Sequence, residues 1–279
     1  MTAFLYFLNV VCSAGQSTIS KYYASKGVSS TVFSINKLVT GFLVFLAVGL
    51  WSGIRFHSPT VLLGITYGVT VYVSNFSGFT ALSLGPMAPT SIIAAFSMVI
   101  PFIVGVTVWG EELSVYGALG ILLLVSSIVL INFQKSEERI SPKWMFFTLL
   151  TFFSNGVASL IQKQHQINYP GCFRTEFMLC GILCALALFT VSVLAKKQEE
   201  AKVQFCLPGN AAGFIEAIAS YIVLYLAATQ NASVLFPVVS VAKIISVWCI
   251  GRIAFKEKMK AVQALGLAAG ILAILLLNM

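Results

Sequence analysis

There is no aspartate anywhere in this 279-residue chain. Its nine acidic residues are all glutamates, and charged residues of both signs make up only 9% of the sequence. A soluble domain carries about 25% charged residues, because water must wet its surface. This chain has too little charge to cover a water-soluble surface of its size. Histidine is as scarce. His57 and His165 are the two, and both read as lying outside the long apolar runs. No histidine–carboxylate cluster offers a metal site, so neither a metal nor a cofactor is expected. No phosphate-cradling glycine loop and no serine nucleophile elbow occurs either, and the chain is not expected to be an enzyme. The six cysteines stand at 12, 172, 180, 184, 206 and 249, mostly inside apolar runs and without metal-type spacing. Cys180 and Cys184 share one helix face and read as small apolar packing residues. The N-terminus lacks the basic stretch of a cleavable signal peptide, so its first apolar run is taken as a span.

What the chain has in abundance is apolar surface: 58% hydrophobic residues and a mean hydropathy of +0.94. The bilayer is then the solvent, and a spanning helix needs about 20 mostly apolar residues. The candidate runs are Ala3–Tyr22, Ser30–Trp51, Pro59–Leu82, Ala88–Val108, Leu113–Ile131, Trp144–Gln162, Phe173–Leu194, Ala211–Ala228, Val234–Phe255 and Ala261–Leu277. The joints are short and carry breakers or charge, as at Gly85-Pro86, Gly110-Glu111-Glu112, Pro170-Gly171 and Pro208-Gly209. The net charge of +8 sits largely in these short joints. That is the pattern of lysines at a membrane surface and not of a nucleic-acid binder.

The chain repeats itself. A shift of 146 residues carries Ser74–Asn132 onto Ser220–Asn278, pairing Ala81 with Ala227, Gly105 with Gly251 and Glu111 with Glu257. Ala118-Leu119-Gly120 meets Ala264-Leu265-Gly266, and Asn132 meets Asn278. Slightly smaller shifts bring Ser13 and Gly15 onto Ser154 and Gly156. The polar stretch 134–143 divides residues 1–133 from residues 144–279. Five spans per half is an odd number, so the second half enters the membrane from the opposite side. The expected fold is an all-α integral membrane protein of ten transmembrane helices, built as two inverted five-helix repeats. Many secondary transporters use that plan for alternating access.

A five-helix unit with a Gly-Glu turn before its last, glycine-containing helix, occurring twice, resembles the EamA-like branch of the drug/metabolite transporter superfamily. Gly110-Glu111 carries the turn in the first half. The second half has Lys256-Glu257 in its place. The resemblance implies a central cavity lined by the first four helices of each half, with the fifth and tenth peripheral. It also implies export or exchange of small metabolites without a soluble ATPase domain. Orientation stays open between two readings. The odd-numbered joints hold twelve Lys and Arg, and the even-numbered ones hold three, Arg55, Lys163 and Arg174. The positive-inside rule then places both termini outside, whereas the resemblance implies termini in the cytoplasm.

Charge inside an apolar run marks the candidate site, because a Lys or Glu at mid-span costs roughly 2.5–3.5 kcal/mol on insertion scales. Lys37 lies in the second run, Glu216 in the eighth and Lys243 in the ninth. Two lysines against one glutamate leave a cation that a carboxylate or phosphate could neutralise. The same charges could instead form a structural ion pair. Softer polar residues extend the candidate binding set: Gln16, Asn75, Asn155, Ser220 and Tyr221, with Ser220 four residues from Glu216 and on its face. Glu111, Glu112 and Glu257 fall at helix boundaries and read as helix-start caps. Pro101 and Pro237 interrupt spans and mark hinges or kinks. Gly266-x-x-x-Gly270 permits close helix approach within the chain or in a homodimer.

The expected function is secondary transport of a small metabolite, an amino acid or another organic anion, by export or exchange, with Glu216 available for proton coupling. The expected location is a bacterial plasma membrane. The rivals are a multidrug exporter, a lipid-linked flippase and a non-transporting scaffold. The two central lysines speak against cation export.

Overall fold

The computed structural model describes residues 2–24, 30–55, 57–84, 90, 93–94, 96–112, 114–131, 141–195, 207–242 and 261–277. The regular elements among these are all helices: α1 Thr2–Ala24, α2 Ser30–Ser52, α3 Ser58–Leu84, α4 Val99–Thr107, α5 Val115–Ile131, α6 Pro142–Asn168, α7 Arg174–Ala195, α8 Leu207–Ala227, α9 Ala232–Ala242 and α10 Ala261–Leu277. A helix satisfies every interior backbone group within its own segment, which is what an apolar solvent demands. Thr31–Ser52, Pro142–Asn168, Arg174–Leu194 and Leu207–Ala227 are long and apolar enough to cross a membrane. Phe96–Thr107, Val115–Ser127 and Ala232–Ala242 are shorter apolar helices.

Two boundaries differ from expectation. α6 continues six residues past Gln162 to Asn168, so Lys163 and His165 are helical and buried and not in a joint. Their polar groups are matched inside the protein. Lys163 Nζ donates to the Ala227 carbonyl, 3.1 Å away at the end of α8, and His165 lies against Thr60 and Gln166. Buried polar side chains with partners leave the helix no reason to end. The second difference is at α8, which starts at Leu207 and absorbs Pro208-Gly209. Proline is tolerated in a first turn, where its missing N–H would have no partner anyway.

The chain packs as two compact units, one from Met1–Tyr72 with Ile161–Ala228 and the other from Val73–Leu160 with Thr229–Met279. Each draws on both halves of the sequence. In the first unit, α8 packs on α1 and α2, and α2 also packs on α7. Its core joins Phe45, Phe177, Met178, Leu179, Ala217 and Leu224. Glycines set the closest helix approaches. Cβ atoms added at Gly64 and Gly68 would run into Cys180, Cys184 and the backbone of α7. Cys180 and Cys184 therefore pack against glycine.

In the second unit, α5 lies along α10, and Ser127 Oγ donates to the Gly266 carbonyl at 2.6 Å. Gly266 and Gly270 are both buried, so this glycine pair is occupied within the chain. α3 and α6 are stitched by hydroxyl and amide groups, Ser74 to Asn155 and Ser77 to Thr151. A 3₁₀ turn, Phe96–Met98, precedes α4, with Pro101 just inside the α-helical part. Proline cannot donate to the carbonyl four residues back, so the tighter turn falls where an α-helical bond would be missing.

Glu111 caps a helix, as its boundary position suggests, but the helix is a distant one. Its two carboxylate oxygens accept from the N–H groups of Ala232 at 2.7 Å and Ser233 at 2.8 Å, at the start of α9. Gly105 leaves the room for it, since a Cβ there would meet Glu111 Oε2 at 2.5 Å. A carboxylate at a helix start satisfies orphan N–H groups and the positive end of the helix dipole. Glu111→Ala is expected to lower stability by about 1–2 kcal/mol, read as a fall in thermal midpoint. Substrate binding should persist wherever the variant stays folded.

Candidate functional site

The polar centre of the first unit is an ion pair. Lys37 Nζ lies 2.8 Å from Glu216 Oε2, joining α2 to α8. The lysine side chain is 11% exposed and the glutamate 40%. Glycine explains the meeting. A Cβ at Gly213 would overlap the Lys37 carbonyl oxygen and sit 3.0 Å from its carbonyl carbon and Cα. The two backbones therefore touch at Lys37, and its long side chain reaches Glu216 one turn further along α8. Gln16 Nε2 on α1 also approaches Glu216 Oε2, at 3.4 Å. The same carboxylate oxygen thus faces a cation and an amide donor.

The pair borders a cavity of about 50 Å³, lined on its polar side by Lys37, Tyr67, Glu216 and Ser220 and on its apolar side by Phe45, Met178 and Ile182. That volume holds about four waters. Gly41, Gly181 and Gly213 also line it.

Among the other expected site residues, Tyr221 is 37% exposed and its ring is tilted against Phe45, with centroids 6.3 Å apart. It does not line the cavity. Asn155 lies in the second unit and accepts from Ser74, and Asn75 belongs to the same unit. Lys243 lies outside the described residues. Around Lys37, Asn36 turns back to the Val32 carbonyl of its own helix, while Thr40 reaches Asn210 Oδ1 on α8 at 3.0 Å.

Sequence reasoning missed Tyr67. Its ring stands in the cavity wall, and its hydroxyl accepts from Gln162 Nε2 at 3.0 Å. A tyrosine inside an apolar run looks like any other aromatic, and only its helical alignment with Thr60 and Gly64 on α3 hinted at an inward face. Asn9 was missed as well. It is 1% exposed and donates to the Ala219 carbonyl at 2.8 Å, on the α1 face that also carries Gln16 one heptad later.

Comparison with known proteins bears on this arrangement. A solved crystal structure, described only as that of a protein, superposes with a TM-score of 0.78 over 99% of this chain and 95% of its own, at 18% identity. At that identity it speaks for the fold alone. No curated protein matches. The model of the EamA-like transporter family matches residues 1–133. The first part of the chain is thus similar to the EamA-like transporter family.

Proposed function

We propose that the protein is a secondary transporter that moves a small zwitterionic or anionic metabolite across the membrane by alternating access. The observation that carries this reading is the Lys37–Glu216 pair bordering a cavity. A charge pair with a deeply buried lysine keeps itself neutral without a ligand. When the walls part, a zwitterion such as an amino acid can insert between the partners. Its carboxylate takes Lys37 and its ammonium takes Glu216, and no charge is stranded. The apolar wall of Phe45, Met178 and Ile182 would then take an apolar side chain. A purely anionic substrate would take Lys37 alone and leave Glu216 uncompensated, so it should carry a proton in with it.

The chain-wide plan in this reading is ten spans, with residues 1–133 and 144–279 as inverted repeats joined by 134–143, in a bacterial plasma membrane. Two features support it. The sequence repeat pairs Glu111 with Glu257 and Ala118-Leu119-Gly120 with Ala264-Leu265-Gly266. The helix pairing repeats too. α1 packs on α8 in one unit and α6 is bonded to α3 in the other, and these are counterparts under the repeat.

The test is the thermal midpoint of the purified full-length protein against a metabolite panel. Zwitterionic or anionic metabolites are expected to raise it, and to raise it less in Glu216→Gln or Lys37→Met. Stabilisation by lipophilic cations alone would favour a multidrug exporter, and no response across the panel would favour a scaffold.

A further inference from the structure

Glycine inside a helix needs a reason, because alanine is favoured there. Three glycines line the cavity of the first unit: Gly41 on α2, Gly181 on α7 and Gly213 on α8. All three are buried. Two have a packing reason. A Cβ at Gly181 would meet the Tyr67 ring at 2.6 Å, and one at Gly213 would meet the Lys37 carbonyl oxygen at 2.3 Å. Gly41 shows no such reason. Beyond its own helix backbone, and among the described residues, a Cβ there would find only Ile182 Cδ1 within 4 Å, at an ordinary contact distance of 3.7 Å. The wall of the cavity therefore lacks a side chain at a point where one would fit.

The place of that gap decides what it can do. Lys37, Gly41 and Phe45 follow one another at steps of four along α2, so they share one face. Gly41 lies about 6 Å along the axis from each of them, at 1.5 Å per residue. One stripe of α2 thus leads from a cation, over bare backbone, to an aromatic ring. Met178 and Ile182 on α7 supply further apolar lining. Phe45 and Met178 belong to one buried cluster, and Ile182 packs against that cluster and against a second one of Ile35, Leu38, Ala185 and Phe189. These apolar walls are braced from behind, whereas position 41 opens onto the cavity.

We propose that Gly41 is the specificity-determining residue of this site. The substrate's apolar side chain lies over its bare backbone, and the size of residue 41 sets the largest side chain accepted. This rests on the binding mode proposed above, with the charged end of the substrate at the Lys37–Glu216 pair. In a hydrophobic pocket, one methylene more or less changes discrimination by roughly 10–200-fold. A methyl added at position 41 therefore penalises a large side chain more than a small one. Ile182 supplies the compensating change. Ile182→Val removes Cδ1, the atom that the added methyl would face, and so returns the volume that Gly41→Ala takes.

The experiment titrates the purified full-length protein with alanine, valine, leucine and phenylalanine. A second series uses carboxylates that carry the same side chains but no amino group. Apparent affinity is read from the rise in thermal midpoint. In the wild-type protein, affinity within the series that binds is expected to increase from the alanine to the leucine side chain. In Gly41→Ala that leucine-to-alanine ratio is expected to fall about tenfold, while the midpoint without ligand holds or rises. Gly41→Ala combined with Ile182→Val should regain the ratio. The proposal is overturned by a wild-type affinity indifferent to side-chain size, or by a ratio that Gly41→Ala leaves as it was. An equal loss for every side chain, a lower midpoint without ligand, or a double variant that regains nothing would also overturn it. All of these leave the transport reading standing, because the wild-type protein still binds. A wild-type midpoint that neither series moves would overturn both.

Discussion

Replacing Lys37 by methionine is expected to reduce transport by about a hundredfold. That corresponds to roughly 3 kcal/mol of lost interaction, at 1.4 kcal/mol per tenfold, for a charge pair broken on one side. Methionine keeps the length and the apolar stem, while Glu216 loses the cation 2.8 Å away. Gln16, at 3.4 Å, compensates only in part. Glu216→Gln gives the complementary result. It strands the more deeply buried member of the pair, since the lysine side chain is 11% exposed and the glutamate 40%, so it is expected to destabilise the protein more than Lys37→Met. The exchanged pair, Lys37→Glu with Glu216→Lys, should recover thermal stability but not transport, because the charges would then meet the wrong ends of the substrate. Recovery of both would mean that the pair holds α2 to α8 and does nothing else. The readouts are flux in proteoliposomes and the thermal midpoint of the same preparations.

Gly213→Ala is expected to be nearly as damaging, by a different route. The added methyl would meet the Lys37 carbonyl oxygen, its carbonyl carbon and its Cα. All three are backbone, so no flexible side-chain tip can move aside, and α2 must separate from α8. Overpacking of this kind costs about 1–3 kcal/mol, and the upper end applies here. The displaced atoms belong to Lys37 itself, so binding should suffer more than stability. Gly68→Ala, which would overlap the Gly181 carbonyl on α7, should destabilise comparably. Gly15→Ala is the control. No atom lies within 4 Å of its added methyl, and alanine in a helix is favoured over glycine by about 0.5–1 kcal/mol. The thermal midpoint should therefore hold or rise.

These two outcomes separate what a sequence can reveal from what it cannot. Lys37 and Glu216 were legible because charge inside an apolar run has one inexpensive solution, a partner. Their spacing from the ends of their runs put them at similar depth. Gln16 followed as a polar residue on an apolar helix. Gly213 was not legible, because its role is set by what touches it, the Lys37 backbone on another helix. Lys163 and His165 were misassigned to a joint for the same reason. A polar stretch after Gln162 resembles the end of a span until the Ala227 carbonyl, Thr60 and Gln166 are seen to satisfy it. Glu111 was read correctly as a cap but on the wrong helix, since the N–H groups it accepts from lie 121 residues along the chain. Tyr221 shares a helix with Glu216 but looks outward. Five residues from Glu216 is about 140° around an α-helix, enough to turn it from the cavity.

The central claim is that a small solute crosses the membrane by binding between Lys37 and Glu216. It is tested most directly by counterflow in proteoliposomes, using the metabolite that most raises the thermal midpoint. Vesicles loaded with unlabelled solute and containing the wild-type protein should transiently accumulate external labelled solute. Vesicles containing equal amounts of folded Lys37→Met protein should not. Equal accumulation with both proteins, or none with wild-type protein that still binds the solute, would contradict it.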